Sequence, residues 1–326
     1  MKPMANKRQG NQTIITEFVL LGFGNLPQLQ ILLFMLFLVI YIVTMAGNII
    51  IIALVVANQN LHTPIPMYFF LWNLSFLESC YISVTIPKML VNFVSEERTI
   101  SFTGCAIQMH FILSLGTAEC YLLAAMAYDR YRAICSPLHY PTIMNPRACA
   151  KMAIACWLCG ILMPMGKVIW IFSLPYCGPN EINHFFCDIH PVLKLACGDT
   201  SRSEVFIVLI SLIITVIPFL MVLVSYACIL YTILKTTSSE GRHKAFSTCS
   251  SHLTVVILFY GSACAMYLRP KSSHIADVDR VVALFYTVVT PMLNPMIYSL
   301  RNQEVKVALG RLMRRKSFIG WFWWSG

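Results

Sequence analysis

The sequence predicts an all-α membrane protein, a bundle of seven helices that each cross the bilayer. Of its 326 residues, 58% are hydrophobic and only 12% are charged, whereas soluble domains carry about 25% charged residues. The apolar residues also fall into seven runs, each reaching the roughly 20 residues that a helix needs to span the hydrocarbon core. The net charge of +10 does not indicate nucleic-acid binding, because the basic residues are scattered between the apolar runs.

The predicted spans are joined by short connections, except for a long loop between the fourth and the fifth. They run over 29–57, 65–93, 103–134, 148–172, 203–234, 246–268 and 277–300. The chain is thereby divided into an N-terminal tail of 1–28, a membrane domain of 29–300 and a C-terminal tail of 301–326. No cleavable signal peptide is recognised before the first span, so we expect this span to act as the insertion signal.

Three signals agree on an N-terminus outside the cell and a C-terminus in the cytosol. Lys and Arg are slightly more frequent on the cytosolic side of this arrangement. Asn11 begins a glycosylation sequon on the outer tail. Cysteines, which form lasting disulfides only in an oxidising compartment, are the third signal.

Four of the thirteen cysteines lie in or beside the predicted outer segments: Cys105, Cys177, Cys187 and Cys197. Four cysteines allow three pairings, and the residues alone leave all three open. The other cysteines lie in or near spans and are expected to be reduced, including Cys156 and Cys159 of a CxxC sequence. A metal cluster of His184, Asp188, His190 and Cys187 is the less favoured alternative to a disulfide at Cys187.

Glu78 and Glu119 are expected to face the interior of the bundle, because an acidic side chain in the bilayer costs about 2.5–3.5 kcal/mol. Two interpretations stay open. In the first, the two acids share a sodium ion or a proton in a site that favours one packing of the bundle. In the second, both are protonated and bonded to Asn48, Ser75 or Asn294. We favour the first, since two acids at similar depth are expensive to retain.

Two classes of membrane protein are disfavoured. A transporter is expected to show related halves with interrupted helices at corresponding places, and the sequence has no internal repeat. A hydrolase needs a nucleophile with a base, or metal ligands, at one depth. The spans contain almost no histidine besides His110 and His252, and no HExxH or GxSxG sequence occurs. A receptor is therefore the preferred interpretation, and no enzyme activity is expected.

Six motifs occur in order over about 250 residues. The longest is Met126-Ala-Tyr-Asp129-Arg130-Tyr131-Arg-Ala-Ile-Cys135-Ser-Pro137-Leu-His-Tyr140, at the inner end of the third span. The others are Gly47-Asn48, Pro66-Met-Tyr-Phe-Phe-Leu, Ser225-Tyr226, Lys244-Ala-Phe-Ser-Thr-Cys249-Ser-Ser-His252-Leu and Pro291-Met-Leu-Asn294-Pro295-Met-Ile-Tyr298. Together they resemble the signature of olfactory receptors within the rhodopsin-like (class A) G-protein-coupled receptors. This resemblance implies a plasma-membrane receptor that binds odorants and activates a stimulatory olfactory-type G protein, which raises cAMP.

The resemblance also implies particular residue roles. It implies the disulfides Cys105–Cys187 and Cys177–Cys197. It implies a sodium site that is lined by Glu78 and Glu119 and has Asn294 nearby. The sequence departs from the family pattern at Pro64-Ile65-Pro66. The family's LHTPMYFF sequence has a single proline there, so this chain has two extra residues.

Further implied roles concern coupling to the G protein. Arg130 is expected to be held inward at rest, beside Asp129, and to be released toward the G protein as the sixth span moves outward. Arginine suits this role because it stays charged and presents a rigid fork of donors. Tyr226 and Tyr298 resemble the tyrosines that close against Arg130 in the active state. Tyr131, Asn294 and Pro295 complete the coupling and activation motifs.

The outer halves of spans three, five, six and seven are expected to form the ligand pocket. Spacing on single helical faces predicts its lining: Met109, Ile112, Leu113, Gly116, Thr117, Ile210, Ser211, Ile214, Tyr260, Ala263, Cys264, Tyr267, Leu284 and Thr287. Helix–helix packing is the alternative role for individual members of this set. The face is apolar, with few hydroxyls and no carboxylate. We therefore expect a small, mostly apolar volatile ligand with one hydrogen-bonding group, rather than an amine.

The C-terminal tail is predicted to contain a short amphipathic helix on the inner leaflet. No cysteine follows Cys264, so a palmitoyl anchor cannot form there. Val305, Leu309, Leu312 and Met313 would face the lipid, and the basic residues the anionic headgroups. A disordered cytosolic tail is the alternative.

Overall fold

The computed structural model describes residues 15–22, 29–57, 66–95, 97–177, 179–198, 200–235, 239–267 and 276–301. Side chains are described for these residues except 239–245, 247–248, 265–267, 276–277, 279 and 298–301. Asn11, Pro64-Ile65 and the tail 302–326 lie outside the described residues. The glycosylation site, the effect of the two extra residues and the amphipathic tail helix therefore stay predictions.

Seven helical spans form the bundle in the described part of the chain. They are α1 Gln30–Ala57, α2 Pro66–Val94, α3 Phe102–Cys135, α5 Pro146–Phe172, α7 Ser201–Lys235, α8 Ser239–Tyr267 and a last span made of α9 Ala276–Leu284, a π-helical turn Phe285–Val289 and α10 Thr290–Arg301. Two short helices, α4 Tyr140–Ile143 and α6 Ile189–Leu193, lie in connections. Six spans are long and apolar enough to cross a membrane, and α8 contains a shorter apolar stretch, Cys249–Cys264. The predicted seven-helix bundle is confirmed.

Local sequence signals explain where several helices begin. Pro66 and Pro146 stand at the first positions of α2 and α5, where the missing N–H of proline leaves no intrahelical bond unmade. Asn145 caps α5, its side chain accepting a 2.9 Å hydrogen bond from the Ala148 amide. Helix α8 begins at Ser239, well before the predicted start at 246. The helix is thus longer than the predicted span, because hydrophobicity marks only the part in the bilayer and a helix can continue beyond it with polar side chains in water.

Helix α3 lies at the centre of the bundle, packed against α2, α5, α7 and α8. It approaches α5 very closely at Gly160. A Cβ added to Gly160 would lie 2.7 Å from Ala118 Cβ and 2.8 Å from the Ser114 carbonyl oxygen. Small residues are the usual means of bringing membrane helices together. Helices α1 and α7 lie outermost and expose apolar side chains to lipid, such as Ile31 and Val224.

A small three-stranded sheet that the sequence did not predict covers one end of the bundle. Strand β1, Glu17–Leu20, pairs antiparallel with β2, Thr99–Ser101, and parallel with β3, Glu181–Ile182. Phe18 and Leu20 of β1 are fully buried in an apolar cluster beneath the sheet. Part of the predicted N-terminal tail is therefore packed against the membrane domain. We call this end of the bundle the disulfide end, and the opposite end, where α3 finishes, the Arg130 end.

Arg280 connects this cap to the last span. Its guanidinium donates hydrogen bonds of 2.6 Å to the Gly22 carbonyl and 2.8 Å to Asn183 Oδ1. Gly22 adopts a positive φ of 51°, a conformation that glycine reaches without a steric penalty. The segment after β1, the loop that carries β3 and α9 are thus held together by one side chain.

Candidate functional site

Two disulfides fasten the loop between α5 and α7 at the disulfide end. Cys105 bonds to Cys187 and Cys177 bonds to Cys197, each pair with its Cα atoms 5.5 Å apart. These are the pairs that the resemblance implied. Cys156 and Cys159 are free, as predicted. Within the described residues no group of three His, Cys, Asp or Glu side chains could hold a metal, so His184, Cys187, Asp188 and His190 do not form the alternative cluster.

The two acidic residues of the spans meet at mid-bundle. Glu78 is 0% exposed and Glu119 is 1% exposed, and their carboxyl groups lie within hydrogen-bonding reach of each other. Asn294 of α10 donates a hydrogen bond from Nδ2 to Glu78 Oε1. Asn48 of α1 is fully buried and donates to the Thr44 carbonyl at 3.0 Å and, at 3.4 Å, to the carbonyl of Pro291, one turn before Asn294. Four different spans therefore contribute to one polar site.

Several oxygen atoms of this polar site are buried without a hydrogen-bond donor. They are Glu78 Oε2, Glu119 Oε1, Asn48 Oδ1 and Asn294 Oδ1. An unpaired buried oxygen is costly, so each needs a proton or a cation. Carboxylate and amide oxygens are the ligands that hard cations prefer. The residues present therefore fit a sodium ion, a shared proton, or both.

At the Arg130 end, the structure places Asp129 against a partner in a different helix, at the far end of the same motif. The phenol of Tyr140, in α4, donates a 2.7 Å hydrogen bond to Asp129 Oδ1. Burial raises the pKa of Tyr140, and the negative charge of Asp129 raises it further. This phenol therefore keeps its proton near neutral pH and remains a donor. Tyr131, two residues after Asp129, packs against Arg132. The guanidinium carbon of Arg132 lies 5.4 Å from the centroid of the Tyr131 ring.

Arg130 is buried beneath α8. Its Nε has no hydrogen-bond partner, and its charge acts on Cys249 and His252 of α8. Tyr226, from α7, forms a 2.6 Å hydrogen bond with His252 Nδ1. Pro295 is buried opposite Gly47, while the side chain of Tyr298 lies outside the described part. Three spans thus meet around one guanidinium.

The predicted pocket residues fall into three groups by burial. Met109, Ile112, Thr117, Ile214, Tyr260 and Thr287 are buried. Leu113, Gly116, Ile210, Ser211, Ala263 and Leu284 are half-buried, and Cys264 is exposed. The side chain of Tyr267 lies outside the described part. Met109 belongs to the apolar cluster under the cap, whereas Ile112 and Tyr260 belong to the main core.

Three hydroxyls of the predicted pocket already donate their protons to backbone carbonyls. Thr117 donates to Leu113 at 2.8 Å and Thr287 donates to Ala283 at 2.7 Å. Tyr260 donates to Cys120 at 3.4 Å, which joins α8 to α3. A hydroxyl oxygen whose proton is used can still accept a hydrogen bond. These groups therefore offer acceptors, and they pair best with a ligand that donates.

Sequence reasoning missed Lys167, which the structure buries between α5 and α7. Its side chain is 4% exposed, and Nζ donates a 3.1 Å hydrogen bond to Ser211 Oγ. A lysine near the end of a span usually extends to the interface, so nothing in its position indicated burial. The signal that could have found it is that Lys167 is the one charged residue in the half of α5 toward the disulfide end.

The chain is similar in sequence to known proteins along nearly its whole length. A sequence model of the olfactory receptor family matches residues 37–316. The chain is 51% identical to human (Homo sapiens) olfactory receptor 10A3 over 316 residues, 97% of this chain and 100% of that one. It is 53% identical to human olfactory receptor 10A5 over 307 residues, 94% of this chain and 96% of that one.

The fold also matches that of a solved structure. The crystal structure of squid rhodopsin aligns with a TM-score of 0.71 and 18% identity, covering 88% of this chain and 86% of that one. This likeness concerns the fold alone, whereas the sequence matches establish the family. The chain is therefore a multi-pass plasma-membrane receptor rather than an enzyme, and it belongs to the olfactory receptor family.

Proposed function

We propose that this receptor binds small, mostly apolar volatile odorants between the halves of α3, α7, α8 and the last span that lie toward the disulfide end. Binding activates a heterotrimeric G protein of the stimulatory olfactory type and raises cAMP. In this proposal the disulfide end faces outward and the Arg130 end faces the cytosol. The observation that carries the proposal is that the residues predicted to line the pocket are mostly apolar and that the hydroxyls of Thr117, Tyr260 and Thr287 are already paired. Such a surface favours uncharged ligands, because an added charge would lack a partner.

The Arg130 end supports coupling to a G protein. Arg130 is held under α8 and leaves its Nε unpaired, so a small outward movement of α8 would expose a charged donor. Tyr226 and His252 are the polar groups beside it, and their hydrogen bond joins α7 to α8. A change in α7 or α8 at the pocket is thereby connected to the guanidinium at the other end.

We also propose that the polar site at mid-bundle holds a sodium ion or a shared proton. Glu78 and Glu119 would supply carboxylate oxygens, and Asn48 and Asn294 amide oxygens, because these atoms lack donors. A cation there neutralises the charge of the two acids. The four residues come from four spans, so occupancy would favour the packing in which these spans are close together.

The experiment is a dose–response screen of odorants in cells that express the receptor and report cAMP. We expect a concentration-dependent rise that disappears in cells lacking the stimulatory olfactory G-protein α subunit. Arg130→Ala at equal surface level is the matched control for coupling. Solute uptake without any G-protein response would support a transporter instead. A response that survives removal of that subunit would contradict the proposed coupling and leave odorant binding intact.

A further inference from the structure

The ammonium of Lys167 is a buried charge with unused hydrogen-bonding capacity. It is 4% exposed, and its hydrogen bond to Ser211 Oγ, at 3.1 Å, occupies one donor. An ammonium has three donors, and a charged group in a low-dielectric interior needs them satisfied. Ser211 is itself one of the residues predicted to line the ligand pocket.

Asp188 is the carboxylate whose charge acts on Lys167. It is 2% exposed and caps α6, with Oδ1 accepting a 2.7 Å hydrogen bond from the Ile189 amide. Its other oxygen, Oδ2, has no hydrogen-bond partner. The negative charge of Asp188 offsets the positive charge of Lys167, so the region is close to neutral before a ligand arrives. A second carboxylate would therefore be repelled, whereas a neutral acceptor would not.

Lys167 also lies beside the pocket face of α3. The next residue on α5, Val168, packs in the same apolar cluster as Met109 and Ile207. Polar donors from Lys167 and Ser211 thus stand at the edge of an apolar surface, the arrangement that orients a ligand with one polar group.

We propose that Lys167 Nζ and Ser211 Oγ bind the carbonyl oxygen of a neutral aldehyde, ketone or ester, and so determine which odorants activate this receptor. The inference rests on the proposed function and names the ligand class of the same site. The paired hydroxyls of Thr117, Tyr260 and Thr287 offer only acceptors, so a carbonyl oxygen has to find its donor elsewhere. Lys167 and Ser211 supply that donor.

The test uses a matched eight-carbon series: octanal, 2-octanone, methyl heptanoate, octanoic acid and octane. Cells expressing the full receptor report cAMP, and surface staining normalises each variant. We expect a neutral carbonyl compound to be the most potent member. Lys167→Met should lower its potency about 10- to 100-fold, the range for loss of a hydrogen bond to a charged group. Lys167→Arg should retain part of the response, since it keeps a charged donor.

Lys151→Met is the matched control, since Lys151 lies exposed on the same helix at the Arg130 end. It should leave potency unchanged. If Lys167→Met fails to reach the surface, two other measurements test the inference. They are the potencies on Ser211→Ala and the ranking of the series on the unmodified receptor. The inference would be overturned if the carbonyl compounds were as potent on Lys167→Met or on Ser211→Ala as on the unmodified receptor. Octanoic acid or octane matching the carbonyl compounds would overturn it as well. A surface-expressed receptor that answers no odorant in a broad screen would instead contradict the proposed function.

Discussion

Tyr140 and Asp129 are joined by a 2.7 Å hydrogen bond from the phenol to Oδ1, which fastens the short helix α4 to the end of α3. The sequence placed both residues in one motif but suggested Arg130 as the partner of the carboxylate. Since Asp129 is engaged from outside the bundle, Arg130 is left under α8 with its Nε unpaired. The connection between α3 and α5 is therefore held against α3 at the Arg130 end.

Tyr140→Phe should lower the stability of the receptor. The change removes the donor and leaves a buried carboxylate oxygen unsatisfied, which costs about 1–3 kcal/mol. The measurement is the thermal melting temperature of purified receptor, which should fall by a few degrees. Tyr131→Phe is the control, since its hydroxyl makes no hydrogen bond within the described residues. Equal melting temperatures for the two variants would show that the Tyr140 bond contributes little.

Arg130→Ala should abolish odorant-evoked cAMP while surface expression stays largely intact. The side chain lies between α3 and α8 with an unpaired Nε, so its removal leaves the bundle core in place. Arg132→Ala is the matched control, because Arg132 instead donates a 2.8 Å hydrogen bond to Tyr128 of its own helix. Full signalling by Arg130→Ala at normal surface level would contradict the proposed role.

Cys105→Ser and Cys187→Ser should reduce surface delivery more than Cys156→Ser and Cys159→Ser. The first two break a disulfide that holds the loop against α3, whereas the latter two replace free thiols inside α5. Loss of a native disulfide typically costs about 2–5 kcal/mol. Flow cytometry of intact cells measures the difference. If all four variants stain equally, the disulfide is dispensable for delivery.

Thr117→Val and Tyr260→Phe should weaken odorants that carry a hydroxyl by about 2- to 13-fold, the effect of losing one neutral hydrogen bond. Both hydroxyls donate to backbone carbonyls and therefore can only accept from a ligand. Hydrocarbon odorants should be unaffected. Thr254→Val is the control, since Thr254 makes the same kind of backbone bond, to Ser250, outside the predicted pocket. Unchanged potency across alcohols would assign Thr117 and Tyr260 to packing alone.

Sodium should raise the melting temperature of the purified receptor relative to choline at the same ionic strength. The unpaired oxygens of Glu78 and Glu119 would bind the ion, and binding to the folded state stabilises it. Glu78→Gln and Glu119→Gln should remove this dependence. A receptor that melts at the same temperature in both salts holds a proton there instead, and its stability should then respond to pH.

The sequence alone determined the spans, the family and the two buried acids, because each leaves a local pattern. A run of apolar residues satisfies the bilayer wherever it stands in the chain, so the seven spans could be located without contacts. Glu78 and Glu119 were expected to be buried together, since charges are rare in spans. The start of α8 at Ser239 and the strand β1 were not predicted, because neither depends on hydrophobicity.

Only the tertiary structure decided which polar groups meet. Lys167 and Ser211 are 44 residues apart and belong to different spans, so no local pattern connects them. The same holds for Tyr260, whose phenol reaches the Cys120 carbonyl 140 residues away. A helix presents its side chains in all directions, and its rotation within the bundle is set by packing against its neighbours. The packed bundle therefore determines whether a polar side chain has its hydrogen-bond donor already paired within the protein or still available to a ligand.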